Sequence, residues 1–157
     1  MTAHMLEVAE WPDSERMAQT QRYHETRNRV HGSCRLCGQA EAGLPQLDFS
    51  LVSATRLCAE FSCGSAATGY QGLVHGGIAA AICDAAMCNA LFAQGIQAYT
   101  ARLELRYRSP LRLGATAVVT ADYLGRYGSG WQLRAEIVQG ARVIAAQAVF
   151  LASKEET

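Results

Sequence analysis

Asp84 is an acidic residue inside the most apolar segment of the chain. Residues 78–93 around it are almost all alanine, isoleucine, cysteine, methionine, leucine and phenylalanine. Burying a carboxylate is costly unless the group is hydrogen-bonded or protonated. A carboxylate at this position therefore either ties a helix to a neighbouring strand or subunit, or does chemistry as a nucleophile or general base.

Three residues with a different chemical use, His75, Gly76 and Gly77, come directly before the apolar segment. We expect them to begin a helix, whose first N–H groups have no partner within the helix and carry partial positive charge. Glycine lets a ligand approach the backbone closely. Such N–H groups can stabilise negative charge on a substrate oxygen. The alternative is that the two glycines serve close packing of the helix against a sheet.

A second group of reactive side chains lies nearer the N-terminus. His31, Cys34 and Cys37 have the spacing His-x-x-Cys-x-x-Cys, and Gly38 follows them. This spacing is typical of a zinc knuckle, which needs a fourth ligand to complete a tetrahedron. It predicts a structural zinc, and the alternative is a turn without metal close to the substrate. The candidates for the fourth ligand are His24, Cys58, Cys63 or a residue of a partner subunit.

The elements that position these residues follow from hydrophobic periodicity. A surface helix is predicted from Pro12 to about Val30. Residues 76–95 are apolar on every side and predict a buried helix, in which Cys83 and Cys88 are small core residues. Two strands before this helix and four antiparallel strands after it make an α+β architecture. The predicted strands are 46–52, 55–61, 99–107, 115–124, 131–137 and 143–151, with a loop at 62–72 and turns at 125–130 and 139–140.

The composition predicts a globular protein. The chain has 157 residues, of which 50% are hydrophobic and 18% charged, and its formal net charge is zero. This balance favours neither nucleic acid nor an anionic membrane as a partner. The segment 78–93 is shorter than the ~20 residues of a membrane span, and residues 1–17 lack the apolar core of a signal peptide. We therefore expect a cytoplasmic protein whose six cysteines are free or bind metal.

The order of elements and two motifs together resemble a known family. Residues 69–77 read Gly-Tyr-Gln-Gly-Leu-Val-His-Gly-Gly, Asp84 follows after six further residues, and residues 107–110 read Tyr-Arg-Ser-Pro at a strand end. Over roughly residues 44–151, this pattern resembles the hotdog-fold thioesterases of the phenylacetate-pathway (PaaI-like) group. The resemblance implies an antiparallel sheet wrapped around one buried helix in a domain at 44–153, with residues 1–43 as an N-terminal extension.

The same resemblance implies hydrolysis of an acyl thioester. Asp84 is implied as the nucleophile, or as the general base that activates water. Gly76 is implied as the main N–H donor to the oxyanion, with Gly77 beside it. Thr100 aligns with a hydroxyl residue that helps to position the attacking water. His75 is implied to orient the loop or to contact the substrate carbonyl, and no cofactor is required for catalysis.

The resemblance also bears on substrate and partners. Some relatives carry asparagine or glutamine in the loop before His-Gly-Gly, where this chain has Gly69, and Gln71 is the candidate to replace that contact. Arg102 and Arg108 suit phosphates of coenzyme A or of a phosphopantetheine carrier, and the alternative is a solvated strand face. The family implies homodimers, often paired into tetramers, with active sites at the dimer interface.

Two other functions are compatible with this fold. One is a non-catalytic acyl-CoA-binding or regulatory hotdog protein. The other is a hotdog dehydratase or hydratase, which pairs a histidine with an acid in motifs such as Gly-Asp-x-Asn-Pro. That stretch is absent from the sequence, so we rank this function below the other two.

Overall fold

The computed structural model describes residues 11–39 and 41–152. Within these residues the chain forms two α-helices and six β-strands, and a short 3-10 helix interrupts the loop predicted at 62–72. In chain order the elements are α1 (Asp13–His31), β1 (Ser50–Leu51), β2 (Arg56–Phe61), the 3-10 helix (Ser65–Ala67), α2 (Gly76–Ala93), β3 (Tyr99–Tyr107), β4 (Ala117–Tyr127), β5 (Gly130–Gln139) and β6 (Ala141–Leu151).

All six strands belong to one antiparallel sheet, in the order β1-β2-β4-β5-β6-β3. The sheet packs around α2, which contacts β2, β3, β4 and β5. Most residues of α2 are buried, because alanines, cysteines and large apolar side chains cover all of its sides. The α+β architecture predicted from the sequence is therefore confirmed. The largest fully buried side chains include Phe150, Leu47, Leu57, Ile82, Met87 and Leu91.

Helix α2 is, among the described residues, the one helix long and apolar enough to cross a membrane by length and composition. It is 18 residues long, and 67% of it is buried within the fold. A core helix that a sheet encloses has the same composition as a membrane span, because both are apolar on every side. Its position in the structure is that of a core helix.

Strand β3 lies at one edge of the sheet and pairs only with β6. The register of this pair shifts between Thr100 and Arg102, which leaves Ala101 as an extra residue. Strict alternation would turn Thr100 away from the face that carries Leu103 and Leu105. The bulge turns it toward that face and α2 instead. The bounds predicted for this strand are confirmed, but the expectation of unbroken alternation is wrong at its first residues.

Two other predicted elements differ in length. The strand expected at 46–52 is limited to Ser50–Leu51, because the N–H of Leu47 donates to the carbonyl of Leu36 (2.7 Å) and ties this segment to the cysteine turn. The turn expected at 125–130 is shorter, since β4 continues to Tyr127. A second register shift and a φ of 106° at Gly125 bend this strand without ending it.

Helix α1 attaches the N-terminal segment to α2. The hydroxyl of Tyr23 donates to Asn89 Oδ1 (2.9 Å), and both side chains are buried. The amide of Gln19 donates to the carbonyl of Ala93 (3.2 Å) at the end of α2. A surface helix at these residues was expected, and the structure confirms it. The boundary between an extension at 1–43 and a domain at 44–153 stays a prediction.

The charged face of the sheet yields a stability prediction at Asp122, whose side chain is 14% exposed. Its carboxylate accepts hydrogen bonds from Arg56 Nε (2.6 Å) and Arg134 Nε (2.9 Å). Burial alone would raise the pKa of Asp122, but these two guanidinium groups lower it below its ordinary value. We expect Asp122→Asn to lower the free energy of unfolding by about 1 kcal/mol at pH 7.

The pH dependence of this loss has a defined sign. A carboxyl whose pKa is lower in the folded state stabilises the fold above its unfolded pKa of about 3.9, and this contribution disappears as the pH falls through the folded pKa. The difference between wild type and Asp122→Asn in urea unfolding should therefore be present at pH 7 and shrink as the pH is lowered below about 3.9. Glu136→Gln, which breaks an exposed pair with Arg142, is the control with little expected effect. Equal losses at both pH values would contradict the prediction.

Candidate active site

Asp84 lies in the middle of α2 and is half-buried rather than fully buried. Its Oδ1 atom accepts a hydrogen bond from the hydroxyl of Thr100 at 2.5 Å. Within the described part of the chain, Oδ2 accepts no hydrogen bond. One carboxylate oxygen is thus fixed by β3 and the other is free to meet a substrate or a water molecule. The bulge at Ala101 makes this contact, because it turns Thr100 toward the helix.

His75 is the N-cap residue of α2. The Nδ1 atom of its imidazole accepts a hydrogen bond from the backbone N–H of Gly77 (2.9 Å). The backbone N–H of His75 donates to the carbonyl of Ala67 (2.8 Å). The imidazole therefore takes the part that serine or aspartate commonly takes at a helix start. The N–H of Gly77 is used by this cap, so it is not free to bind an oxyanion in this conformation.

Gly76 is the first residue of α2, and its N–H has no hydrogen-bond partner among the described residues. Gly76 is exposed, so a ligand can reach this donor. The hydroxyl of Tyr107 donates to the carbonyl of Gly76 at 2.7 Å and fixes the orientation of this peptide. Burial, with a smaller effect of Cys83, raises the pKa of Tyr107 and keeps the phenol protonated as a donor. The start of α2 therefore presents a free N–H on a peptide group that Tyr107 anchors.

Tyr107 lies beside the candidate site, although the sequence indicates no role for it beyond its place in the Tyr-x-x-Pro strand end. The signal that could have found it is its position at the end of an edge strand that packs on α2. A cavity of about 320 Å³ opens beside it. The cavity is lined by Val74, Gly76, Ala79, Tyr107, Arg108, Ser109, Pro110, Leu111 and Ile144.

The loop before α2 is closed tightly against His75. A Cβ atom at Gly69 would lie 2.8 Å from the Cα of His75, so a side chain there would force the loop to move. Gly69 also donates its N–H to the carbonyl of Leu73 (2.9 Å). Gln71 is exposed at the tip of this loop, and its amide has no partner among the described residues. The glycine is therefore built into the loop geometry, and a role of Gln71 in its place stays a prediction.

The two arginines predicted to meet phosphates have different surroundings. Arg108 lines the cavity beside Gly76 and Tyr107. Arg102 is exposed and lies 3.5 Å from the carboxylate of Glu104 on the same strand. The structure brings Arg108 to the start of α2 and leaves Arg102 apart from it.

The predicted site residues form two groups, because α2 and β3 run in opposite directions. Thr100 at the start of β3 meets Asp84, while Tyr107 at the end of β3 meets Gly76. Asp84 lies eight residues after Gly76 in the same helix. At about 1.5 Å per residue, the two are roughly 12 Å apart along the helix axis. A single chain therefore holds Asp84 and the Gly76 N–H at separate places.

The His31, Cys34 and Cys37 side chains do come together, as their spacing predicts. Their ligand atoms all lie within 4.8 Å of one another, and His31 Nδ1 is 3.2 Å from Cys37 Sγ. Burial raises the pKa of the Cys37 thiol to about 11. Burial also lowers the pKa of the His31 imidazole. This group could hold a metal ion. His24, Cys58 and Cys63 do not belong to it.

Comparison with known proteins agrees with this architecture. The fold is similar to the Escherichia coli PaaI protein of the phenylacetic acid degradation operon, with a TM-score of 0.72, 16% identity, and coverage of 88% of this chain and 96% of that one. It is also similar to mouse thioesterase superfamily member 2, with a TM-score of 0.66, 18% identity, and coverage of 83% and 95%. The search of curated proteins finds no match.

A third similar structure is a hypothetical thioesterase of Streptococcus pneumoniae with coenzyme A, with a TM-score of 0.63, 13% identity, and coverage of 70% and 90%. Structures also exist for two of its variants, in which an aspartate and a threonine are each replaced by alanine. These two positions are 16 residues apart in that protein. Asp84 and Thr100 have the same separation of 16.

The fold and the element order define this chain as a hotdog-fold protein. Residues 71–145, which include α2 and most of the sheet, match the family model of the thioesterase superfamily. This segment makes up 75 of the 157 residues, and over it the chain is similar to that superfamily.

The cap at His75 yields a prediction about the stability of the fold. We expect His75→Ala to lower the free energy of unfolding by about 1 kcal/mol, because Gly77 loses its acceptor. His75→Asn should restore most of this loss, since asparagine is a good N-cap residue. Urea denaturation of the three proteins measures both effects. An equal loss in the alanine and asparagine variants would contradict the capping role.

Proposed function

We propose that this protein hydrolyses acyl-CoA thioesters, with Asp84 as the reacting carboxylate and the Gly76 N–H as the oxyanion donor. The observation that carries the proposal is the hydrogen bond from Thr100 to one oxygen of Asp84, with the other oxygen free. A carboxylate held in this way is oriented for attack on a carbonyl or on a water molecule. Coenzyme A accompanies the similar pneumococcal protein, and acetyl-CoA is bound to a similar Streptococcus mutans protein.

The reaction needs the acid and the oxyanion donor at one carbonyl group. A nucleophile about 3 Å from the carbonyl carbon and a donor about 3 Å from its oxygen lie only a few ångströms apart. Asp84 and Gly76 of one subunit are roughly 12 Å apart along a rigid helix. We therefore propose that each active site combines Asp84 of one subunit with Gly76 of the partner subunit.

The free edge of β3 supports such a dimer. This strand is nine residues long and pairs with β6 on one side only, so its other edge is available to a second copy. Antiparallel pairing of two β3 strands around a twofold axis sets the Thr100 end of one strand opposite the Tyr107 end of its partner. Asp84 then faces the helix start of the partner subunit. Pairing of such dimers into tetramers stays a prediction.

The proposed chemistry follows two routes from the same geometry. In one route, Asp84 Oδ2 attacks the thioester carbonyl, the thiolate of CoA leaves, and water hydrolyses the resulting anhydride. In the other route, Asp84 takes a proton from a water molecule that attacks the carbonyl directly. Both routes place negative charge on the carbonyl oxygen, which the Gly76 N–H and the positive helix end stabilise. Neither route requires a cofactor.

The surroundings suggest further parts of the substrate contact. The cavity beside Tyr107 and Pro110 suits part of the thioester ligand, and the Arg108 guanidinium at its rim suits a phosphate. Arg102 is a weaker candidate, because Glu104 lies beside it. The cysteines of the described chain are free, which fits a reducing compartment such as the cytoplasm.

A pair of substitutions tests the two proposed groups. Asp84→Asn keeps the size of the side chain and an acceptor for Thr100 but removes the charge, so we expect kcat to fall by about 10²–10⁴-fold. Gly76→Pro removes the free N–H at the first helical position, where proline is well tolerated, and we expect a loss of about 10²–10³-fold. Release of free thiol from short, medium, long and aryl acyl-CoA measures both variants.

Each variant has a matched control. Glu60→Gln changes an exposed carboxylate on β2, away from the proposed dimer edge, and its kcat should equal that of wild type. Gly76→Ala keeps the N–H, and its Cβ would meet Tyr107 only at ordinary contact distances of 3.7–3.8 Å. If wild type and Asp84→Ala both release thiol at the background rate across the whole panel, the proposed thioesterase activity is ruled out. The protein would then be a non-catalytic acyl-binding hotdog protein.

Heterodimers that combine the two variants test whether each active site is shared between subunits. Heterodimers of one Asp84→Asn subunit and one Gly76→Pro subunit, isolated with two different affinity tags, should have one intact site and one site with both defects. We expect about half of the wild-type kcat per dimer, far above either parent homodimer. Activity no higher than the average of the two parents would place both groups in one subunit and contradict the proposed site.

A further inference from the structure

The reaction proposed above makes no use of the group formed by His31, Cys34 and Cys37. It lies where the end of α1 and the following turn cross α2. The ring of His31 packs on Phe92 with centroids 5.2 Å apart, and Cys37 is fully buried. Asn89, from the same helix, is fully buried and accepts a hydrogen bond from the hydroxyl of Tyr23 on α1 at 2.9 Å. The group is therefore an ordered part of the interior rather than a surface loop.

We propose that this group is a zinc site in which Cys88 of α2 is the fourth ligand, so that the metal ties the N-terminal segment to the central helix. Three cysteines and one histidine form a common set for tetrahedral zinc. The spacing of two residues between His31 and Cys34, and again between Cys34 and Cys37, suits ligands that share one ion.

The distances within the group suit a zinc ion. Ligand atoms of a tetrahedral zinc site are roughly 3.6 Å apart, given bonds of about 2.3 Å to sulfur and about 2.0 Å to nitrogen. His31 Nδ1 and Cys37 Sγ are 3.2 Å apart, and all three ligand atoms lie within 4.8 Å of one another. Small side-chain movements are therefore sufficient to enclose an ion.

The backbone of the turn between Cys34 and Gly38 is tightly closed. The N–H groups of Gly38 and Gln39 both donate to the carbonyl of Cys34 (2.8 Å each). A Cβ atom at Gly38 would collide with the carbonyl oxygen of Gly32, so only glycine allows the chain to turn this tightly. The turn is thus closed by backbone contacts that hold Cys34 and Cys37 on the same side.

A positive neighbour compensates the charge that such a site would carry. Zinc with three thiolates and a neutral histidine has a net charge of −1. The Nε atom of Arg27 donates to the carbonyl of Cys37 at 3.0 Å, and its positive charge lies close to this thiol. Contacts of this kind from outside the ligand shell are typical of metal sites.

Cys88 is the thiol of α2 that we assign to this group. It is 9% exposed and lies one helical turn before Phe92, whose ring packs on His31 with centroids 5.2 Å apart. Both side chains therefore lie on the stripe of α2 that faces the end of α1. In this structure the ligand atoms within 4.8 Å of one another are those of His31, Cys34 and Cys37, so Cys88 would join them by a change of its side-chain rotamer.

The position of this ion would matter for the rest of the site. Cys88 comes one helical turn after Asp84 on the same face of α2. The charge of Asp84 also acts on His31. A metal bound here would fix the N-terminal segment beside the reacting carboxylate without touching the substrate carbonyl.

Metal content and cobalt spectroscopy on the full chain test the proposal. Reduced wild-type protein, stripped with a chelator and then titrated with Zn²⁺, should bind one ion per chain. Titration with Co²⁺ should give the visible spectrum of a tetrahedral site, with a sulfur-to-metal band whose intensity corresponds to three thiolates. This second measurement needs no variant, so it does not depend on whether a substitution folds. A wild type that binds no zinc, or that has an internal Cys34–Cys37 disulfide when purified anaerobically, would overturn the site.

Substitutions identify the ligands. Loss of a partner outside the ligand shell weakens metal binding by up to about 100-fold. Cys37→Ser removes a ligand itself, so we expect it to weaken zinc binding by at least about 100-fold. Cys88→Ser should lose one thiolate from the cobalt spectrum. Cys58→Ser, on β2 and outside the group, should bind both metals like wild type. A cobalt spectrum of Cys88→Ser that equals the wild-type spectrum would rule out Cys88 as the fourth ligand.

Discussion

A carboxylate inside an apolar helix needs a hydrogen-bond donor, and much of this fold is arranged around that need. Asp84 finds its donor in Thr100, on the edge strand that packs beside α2. Regular alternation would turn the hydroxyl of Thr100 to the outer face of the sheet. The extra residue at Ala101 reverses the direction of this one side chain while Leu103 and Leu105 keep theirs. The irregularity in β3 is thus the means by which an apolar helix carries a usable acid.

The opposite directions of α2 and β3 have a consequence for the whole assembly. Asp84 meets the start of β3 and Gly76 meets its end, so the two proposed catalytic groups are separated by about two helical turns. A twofold axis through an edge strand exchanges the two ends of that strand. In the proposed dimer, this axis therefore brings Asp84 of one subunit toward Gly76 of the other.

The sequence predicted the parts of this structure that depend on periodic burial, and it missed those that depend on single contacts. The apolar run at 76–95 and the alternating strands identified α2 and most of the sheet, since burial repeats along each element. The bulge at Ala101 leaves no compositional trace, so Thr100 could be assigned only through the family resemblance. Tyr107 as an anchor of Gly76 depends on a contact across 31 residues, which local patterns do not encode. His75 caps α2 across only two residues, but histidine is not one of the residue types that indicate an N-cap. The short β1 followed from the pairing of Leu47 with Leu36.

The N-terminal segment covers apolar surface of α2 that the sheet does not cover. A sheet can cover only one side of a helix, yet α2 is apolar on all sides. Tyr23 and Gln19 of α1 cover part of the remaining surface, and the cysteine turn covers the stripe that contains Cys88 and Phe92. Asp84 lies at the end of this stripe, where neither the sheet nor the extension encloses it completely. Asp84 is half-buried because the packed surface ends at this point. In the proposed function, this opening admits the substrate and the partner subunit.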